Sequence, residues 1–159
     1  MAAIAVPQYN AAVMKARCSK AIIWTKRVKD TMEKYYMAHD VYATDFSQLD
    51  VEISNVKPCG INAIFDIYEG GKSVGDIWYF SSVGRMLEMF FTEDTRFGEL
   101  QYYMMLDNSD YKGERYCGFY GNTTAAKEKA GKIFSTSLGG KPAPAIAGYS
   151  TLHVRYLLP

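Results

Sequence analysis

Three cysteines, two histidines and a few clustered acids are the side chains of this sequence best suited to chemistry. Cys18, Cys59 and Cys117 stand far apart with no C-x-x-C spacing, and His39 and His153 have no second ligand in register. A zinc site draws on about four ligands, usually in close pairs, so that pattern is absent from the sequence. Three thiols permit one disulfide and one spare thiol in an oxidising compartment, or buried free thiols in a reducing one. Asp66, Glu69 and Asp76 lack the spacing of a calcium loop. The pairs Gly70-Gly71 and Gly139-Gly140 read as turns, because neither opens a helix after a strand as a phosphate cradle does. Asn122-Thr123-Thr124 spells a glycosylation sequon, but Asn122 or Thr123 equally suits the cap of a helix. No catalytic constellation, cofactor site or metal site follows from these residues. The two histidines read as helix-end and strand residues, and the chain reads as a non-enzyme.

Composition agrees with a binding or structural role. The chain has 159 residues, 48% of them hydrophobic, which suits one domain with a real core. Eighteen basic and 17 acidic residues leave a net charge of +1, so no global field draws it to nucleic acid or to an anionic membrane surface. Aromatic residues make up 14% of the chain and include 13 Tyr. Such residues favour half-buried strands and contact surfaces. Strand packing explains them more simply than an adhesive or electron-carrying surface.

The elements follow from periodicity. From about Asn10 to His39 there is neither Gly nor Pro, and Met14, Cys18, Ala21, Thr25, Val28, Met32 and Tyr35 fall on one helical face. Lys15, Lys26, Lys29 and Lys34 lie opposite, while Ile22, Ile23 and Trp24 widen the apolar zone. Thirty residues of helix span about 45 Å, so this helix is either the spine of the domain or projects from it by its first half. Short aromatic-rich strands are expected at 61–68, 76–82, 86–92, 99–106 and 115–120, joined by turns such as Glu69-Gly70-Gly71-Lys72. A second, shorter helix is expected near Thr123–Ser135, a loop over 138–148 and a last strand over 150–158. The fold class these elements predict is α+β. A long N-terminal helix packs its second half on an antiparallel sheet, with a small helix near the C-terminus.

The first residues pose a separate question. An apolar run from Ala2 to Val6 ends at Pro7, and nothing in the chain reaches the roughly 20 apolar residues of a membrane span. Met1 is followed directly by Ala-Ala-Ile-Ala-Val, with no basic stretch or cleavage motif. The expectation is that this run is the last part of a longer helix. Pro is harmless in a first turn but marks a kink or a locally melted step inside a helix.

AAIAVPQYNAAVMKAR resembles the inner end of the N-terminal helix of type IV pilins and pseudopilins, with Pro7, Gln8 and Tyr9 in the family's Pro-Gln-Tyr positions. The resemblance continues through Tyr35, Tyr36, Tyr42, Asp45, Phe46, Leu49 and Asp50, where the family's long helix gives way to its first loop. YYMMLDNSDYKGERYCGFY and SLGGK are similar, less specifically, to segments of one bacterial pilin-like subgroup. Two departures stand out. The family's basic leader, Gly cleavage site, aromatic first residue and early Glu are not in the chain. The subgroup's cysteine partner before Ser-Leu-Gly-Gly is replaced by Phe134. Within this resemblance Cys117 pairs with Cys59, pairs with Cys18 or stays free. Cys59–Cys117 is the favoured bridge, because both lie in the sheet region and Cys18 lies on the helix stripe.

The resemblance implies residues 1–9 as the remnant of an apolar membrane and assembly helix, and 10–159 as a single globular pilin-like domain. It implies a structural subunit of a bacterial type IV pilus or of a type II secretion pseudopilus, polymerising through its N-terminal helix. Ile4, Val6, Pro7, Tyr9 and Val13 are the expected filament contacts. The implied partners are copies of the chain or other pilins, a prepilin peptidase, the inner-membrane assembly machinery, and the membrane itself through an upstream segment. The implied location is the inner membrane before assembly, then an extracellular pilus or periplasmic pseudopilus. The competing reading is a free-standing extracellular binding module. That role needs a pocket with convergent polar groups, and the sequence offers no candidate set.

Overall fold

A computed structural model of the protein describes residues 2–50, 56–58, 64–81, 85–91, 100–120, 138–144 and 152–159, together with residues 125, 132, 135 and 136. Helix α1 runs from Ala2 to His39, about 57 Å at the usual rise per residue. It continues through Pro7, whose missing N–H leaves one carbonyl of the preceding turn without its helical bond. The helix ends where Asp40 adopts a left-handed backbone (φ 58°) and donates its N–H to the Tyr36 carbonyl at 2.8 Å. Asp is one of the few side chains that enter this region readily. A 3-10 turn follows at Phe46–Gln48, capped by the Asp45 carboxylate, which accepts from the Ser47 N–H at 2.9 Å. That turn drives Phe46 into the core, where its ring stacks on Phe65 with centroids 4.0 Å apart.

Eight strands form one sheet: β1 (Val56–Pro58), β2 (Ile64–Glu69), β3 (Lys72–Phe80), β4 (Met86–Phe91), β5 (Leu100–Met105), β6 (Arg115–Tyr120), β7 (Lys141–Pro142) and β8 (Leu152–Leu158). Every pairing is antiparallel, in the order β1-β2-β3-β4-β5-β6-β8-β7. The chain thus meanders through six strands and then places its last strand inside the edge formed by β7.

Alternation along the strands makes two faces. One carries Phe65, Ile67, Ile77, Leu87, Met89, Tyr102, Met104 and Cys117, all buried in one cluster with Ala21, Trp24, Val28 and Met32 of α1. The other buries Met86, Tyr103, Met105 and Tyr116, with Phe80, Tyr111 and Ala143 against them. Glu88 and Gln101 are also buried on that second face.

These findings overturn the expected α+β class, in which a long helix packed on the sheet was the organising element and a small helix followed near the C-terminus. The protein is mostly sheet. Its central strands are buried on both faces, so α1 covers only one of two packed surfaces. Among its described side chains, burial begins at Ala21 and ends at Met32, and the helix is not a spine along the sheet. No second helix stands among the elements; residues 125, 132, 135 and 136 have helical backbones, and the rest of 123–135 lies outside the described residues. The physical reason for the difference is that strand burial on two faces outweighs one amphipathic stripe. In addition, β1 and β7 are too short to show any alternation in sequence.

Candidate functional site

The candidate assembly residues lie on the first half of α1. Ile4, Val6 and Pro7 have helical backbones, and nothing further is described of their side chains. Tyr9 is 66% exposed, Gln8 and Ala12 are exposed, and Val13 is half-buried. Lys15, Ala16, Ser19 and Lys20 are also exposed, Lys20 with its ammonium 2.6 Å from Glu69 of the sheet. Among the described residues no helix is long and apolar enough to cross a membrane.

The second half of α1 is held by a polar clasp. Lys29 bonds Asp107 at 2.5 Å and Glu33 at 3.4 Å. Glu33 accepts the Asp107 N–H at 2.8 Å through one oxygen and the Tyr42 hydroxyl at 2.9 Å through the other. Tyr42 in turn accepts the Asn108 N–H at 3.1 Å, and the Asn108 amide donates to the Tyr36 hydroxyl at 2.8 Å. Arg85 closes the circuit by donating to the Asn108 carbonyl at 2.7 Å. Burial chiefly pushes the Tyr42 phenol well above its ordinary range, with Glu33 adding to the rise. The hydrogen bond from Lys29 holds the Asp107 carboxyl below the usual carboxylate range. A phenol held protonated and a carboxylate held charged near neutral pH suit an anchor. Its sequence signal is slight, because Glu33 and Asp107 are 74 residues apart.

A second polar site sits on the face of the sheet opposite α1. The β2–β3 hairpin turns through Gly70 and Gly71, both at positive φ, between Glu69 and Lys72. That is the two-residue loop a right-twisted hairpin favours. The register then shifts at Val74, so that Tyr68 pairs with Ser73 but Ile67 pairs with Gly75. The extra residue is a β-bulge. Its consequence is that Asp66 stands directly opposite Asp76. Burial and the neighbouring Asp66 raise the Asp76 carboxyl to about 6. The turn was legible in the sequence, but counting outward from it without the bulge sets Asp66 against Gly75. That count misses the pair.

Cys117 is a buried free thiol in β6, and burial pushes it far above its usual range. Its expected partner Cys59 lies outside the described residues, as do Asn122, Thr123, Phe134 and the side chain of His153. His39 is exposed at the end of α1, its ring 4.2 Å from that of Tyr35. Among the described residues no group of three or more His, Cys, Asp or Glu side chains could hold a metal ion. The chain matches no family model, no curated protein and no solved structure.

Proposed function

We propose that this chain is a structural subunit of a bacterial type IV pilus or of a related type II secretion pseudopilus, and that it polymerises through its N-terminal helix. The observation that carries this reading is the division of α1. Its second half is pinned by Ala21, Trp24, Val28, Met32 and the Lys29–Glu33 clasp, while Gln8, Tyr9, Ala12, Lys15, Ala16 and Ser19 of its first half are exposed. A helix anchored at one end offers its other end to neighbours, and exposed apolar side chains call for a partner. In this reading Ile4, Val6, Pro7, Tyr9 and Val13 are the contacts between subunits, and the sheet is the part displayed on the filament. The chain performs no chemistry of its own. A prepilin peptidase cuts the precursor, and inner-membrane machinery extrudes the filament.

The test is the coding sequence immediately upstream of Ala2, read together with immunogold labelling of the producing cells. A short basic leader, a Gly, an aromatic residue and an apolar run with an early Glu, plus labelled filaments, are the expected results. An upstream sequence that continues into an unrelated domain, with no labelled filament, removes the proposal.

A further inference from the structure

The Asp66–Asp76 pair is arranged as few surface carboxylates are. The two residues are direct cross-strand partners, so their side chains project from the same face of adjacent strands. Two ionised carboxylates have no donor between them, so these facing side chains can hydrogen-bond to each other only when one of them carries a proton. Both residues are half-buried, which makes a doubly charged pair more costly than it is in open water.

The neighbours on this face decide how many charges are balanced. On β1, Lys57 is the partner of Asp66, and its ammonium lies 5.3 Å from the centre of the Tyr68 ring. On β2, the Tyr68 hydroxyl donates to Asp66 at 3.4 Å. On β4, Asp76 faces Phe90, and Glu88 stands two residues further along the strand. Lys57 is thus the cation that the register sets beside Asp66, and one proton leaves the pair with the single negative charge that Lys57 matches.

We propose that Asp66 and Asp76 form a proton-operated latch on the β2–β3 hairpin, a shared proton joining the two strands in mild acid and its loss setting two like charges against each other. The latch is independent of any filament role. Its location gives it reach: β2 and β3, with three-residue β1 beyond them, form one edge of the sheet. Loosening there changes an edge while leaving β4 to β8 paired.

The direction follows from linkage. Asp76 is raised to about 6 in the folded protein, against about 3.9 for an unfolded aspartate. The stabilisation is therefore complete below about pH 4 and is lost as pH rises through about 6. Two measurements test it on the intact protein. The side-chain carboxyl carbon of Asp76, followed by NMR, is expected to titrate near pH 6, and in Asp66→Asn to fall back toward the ordinary aspartate midpoint. Hydrogen exchange of the β2 and β3 amides, corrected for intrinsic rate, is expected to slow roughly tenfold between pH 7.5 and pH 4.5, and Asp76→Asn is expected to abolish that dependence. An Asp76 midpoint near 4 in the native protein overturns the proposal. So does a hairpin whose pH dependence is the same in Asp76→Asn as in the native chain.

Discussion

The clasp at Asp107 and the latch at Asp76 use the same functional group to opposite ends. Asp107 meets Lys29, a cation held at 14% side-chain exposure, and keeps its charge. Asp76 meets another aspartate and is pressed to give its charge up. Depth and partner act together: burial is the first cause of the rise at Asp76 and the facing Asp66 adds to it, whereas Asp107 is the more exposed of the two and has a cation beside it. Acid should therefore act on the two sites in opposite directions. At the clasp, a carboxyl held low contributes stability above the unfolded value of about 3.9 and loses it as pH falls. At the hairpin, a carboxyl held high gains stability over the window from about 6 down to about 4. Exchange of the Asp107 amide should quicken in acid below pH 4, once intrinsic rate is removed, while that of the hairpin slows.

Breaking the clasp should have the largest effect. Glu33→Ala removes the acceptor of the buried Tyr42 hydroxyl and of the exposed Asp107 N–H. A loss of about 3 kcal/mol in urea unfolding is expected; a loss under about 1 kcal/mol would show that water replaces the carboxylate. Next is Gly75→Ala. A Cβ there would run into the Phe90 backbone carbonyl, so β3 and β4 must part. About 2 kcal/mol is the expected cost, with exchange quickened chiefly in β2 to β4; no change would mean that the bulge adjusts. Asp76→Asn should act with the opposite sign. After discounting for solvent screening, it should stabilise the protein by about 1 kcal/mol at pH 7.5 and by nothing at pH 4.5. A stability loss at pH 7.5 would count against a strained pair. The smallest effect belongs to Lys20→Ala, which removes the exposed 2.6 Å ion pair to Glu69 that joins α1 to the hairpin. A change below about 0.5 kcal/mol is expected, fading with salt.

The contrast also shows what the sequence could reveal. The second half of α1 was legible because Ala21, Thr25, Val28 and Met32 keep helical spacing and are buried. Strands 86–91 and 115–120 stood out through aromatic density between turn residues. The architecture as a whole was not legible, because which element dominates depends on packing on both sheet faces. That depends in turn on where Met86, Tyr103 and Tyr116 meet, and no local spacing encodes it. β7 was hidden because two residues, one of them Pro, carry no period. The carboxyl pair was hidden by one inserted residue, Val74, which moved Asp76 by a single register step. Glu33 and Asp107 were hidden by distance along the chain.

Cys117 offers one last consequence. It lies between Tyr102 on β5 and Tyr156 on β8, away from either sheet edge, with its sulfur kept as an unreactive thiol. A thiol reagent can reach it only after those strands separate, whereas loosening of the hairpin leaves it shut away. The rate of modification at this one sulfur is thus a clock for whole-sheet opening. Set beside amide exchange in the hairpin, it tells fraying at an edge from collapse of the centre.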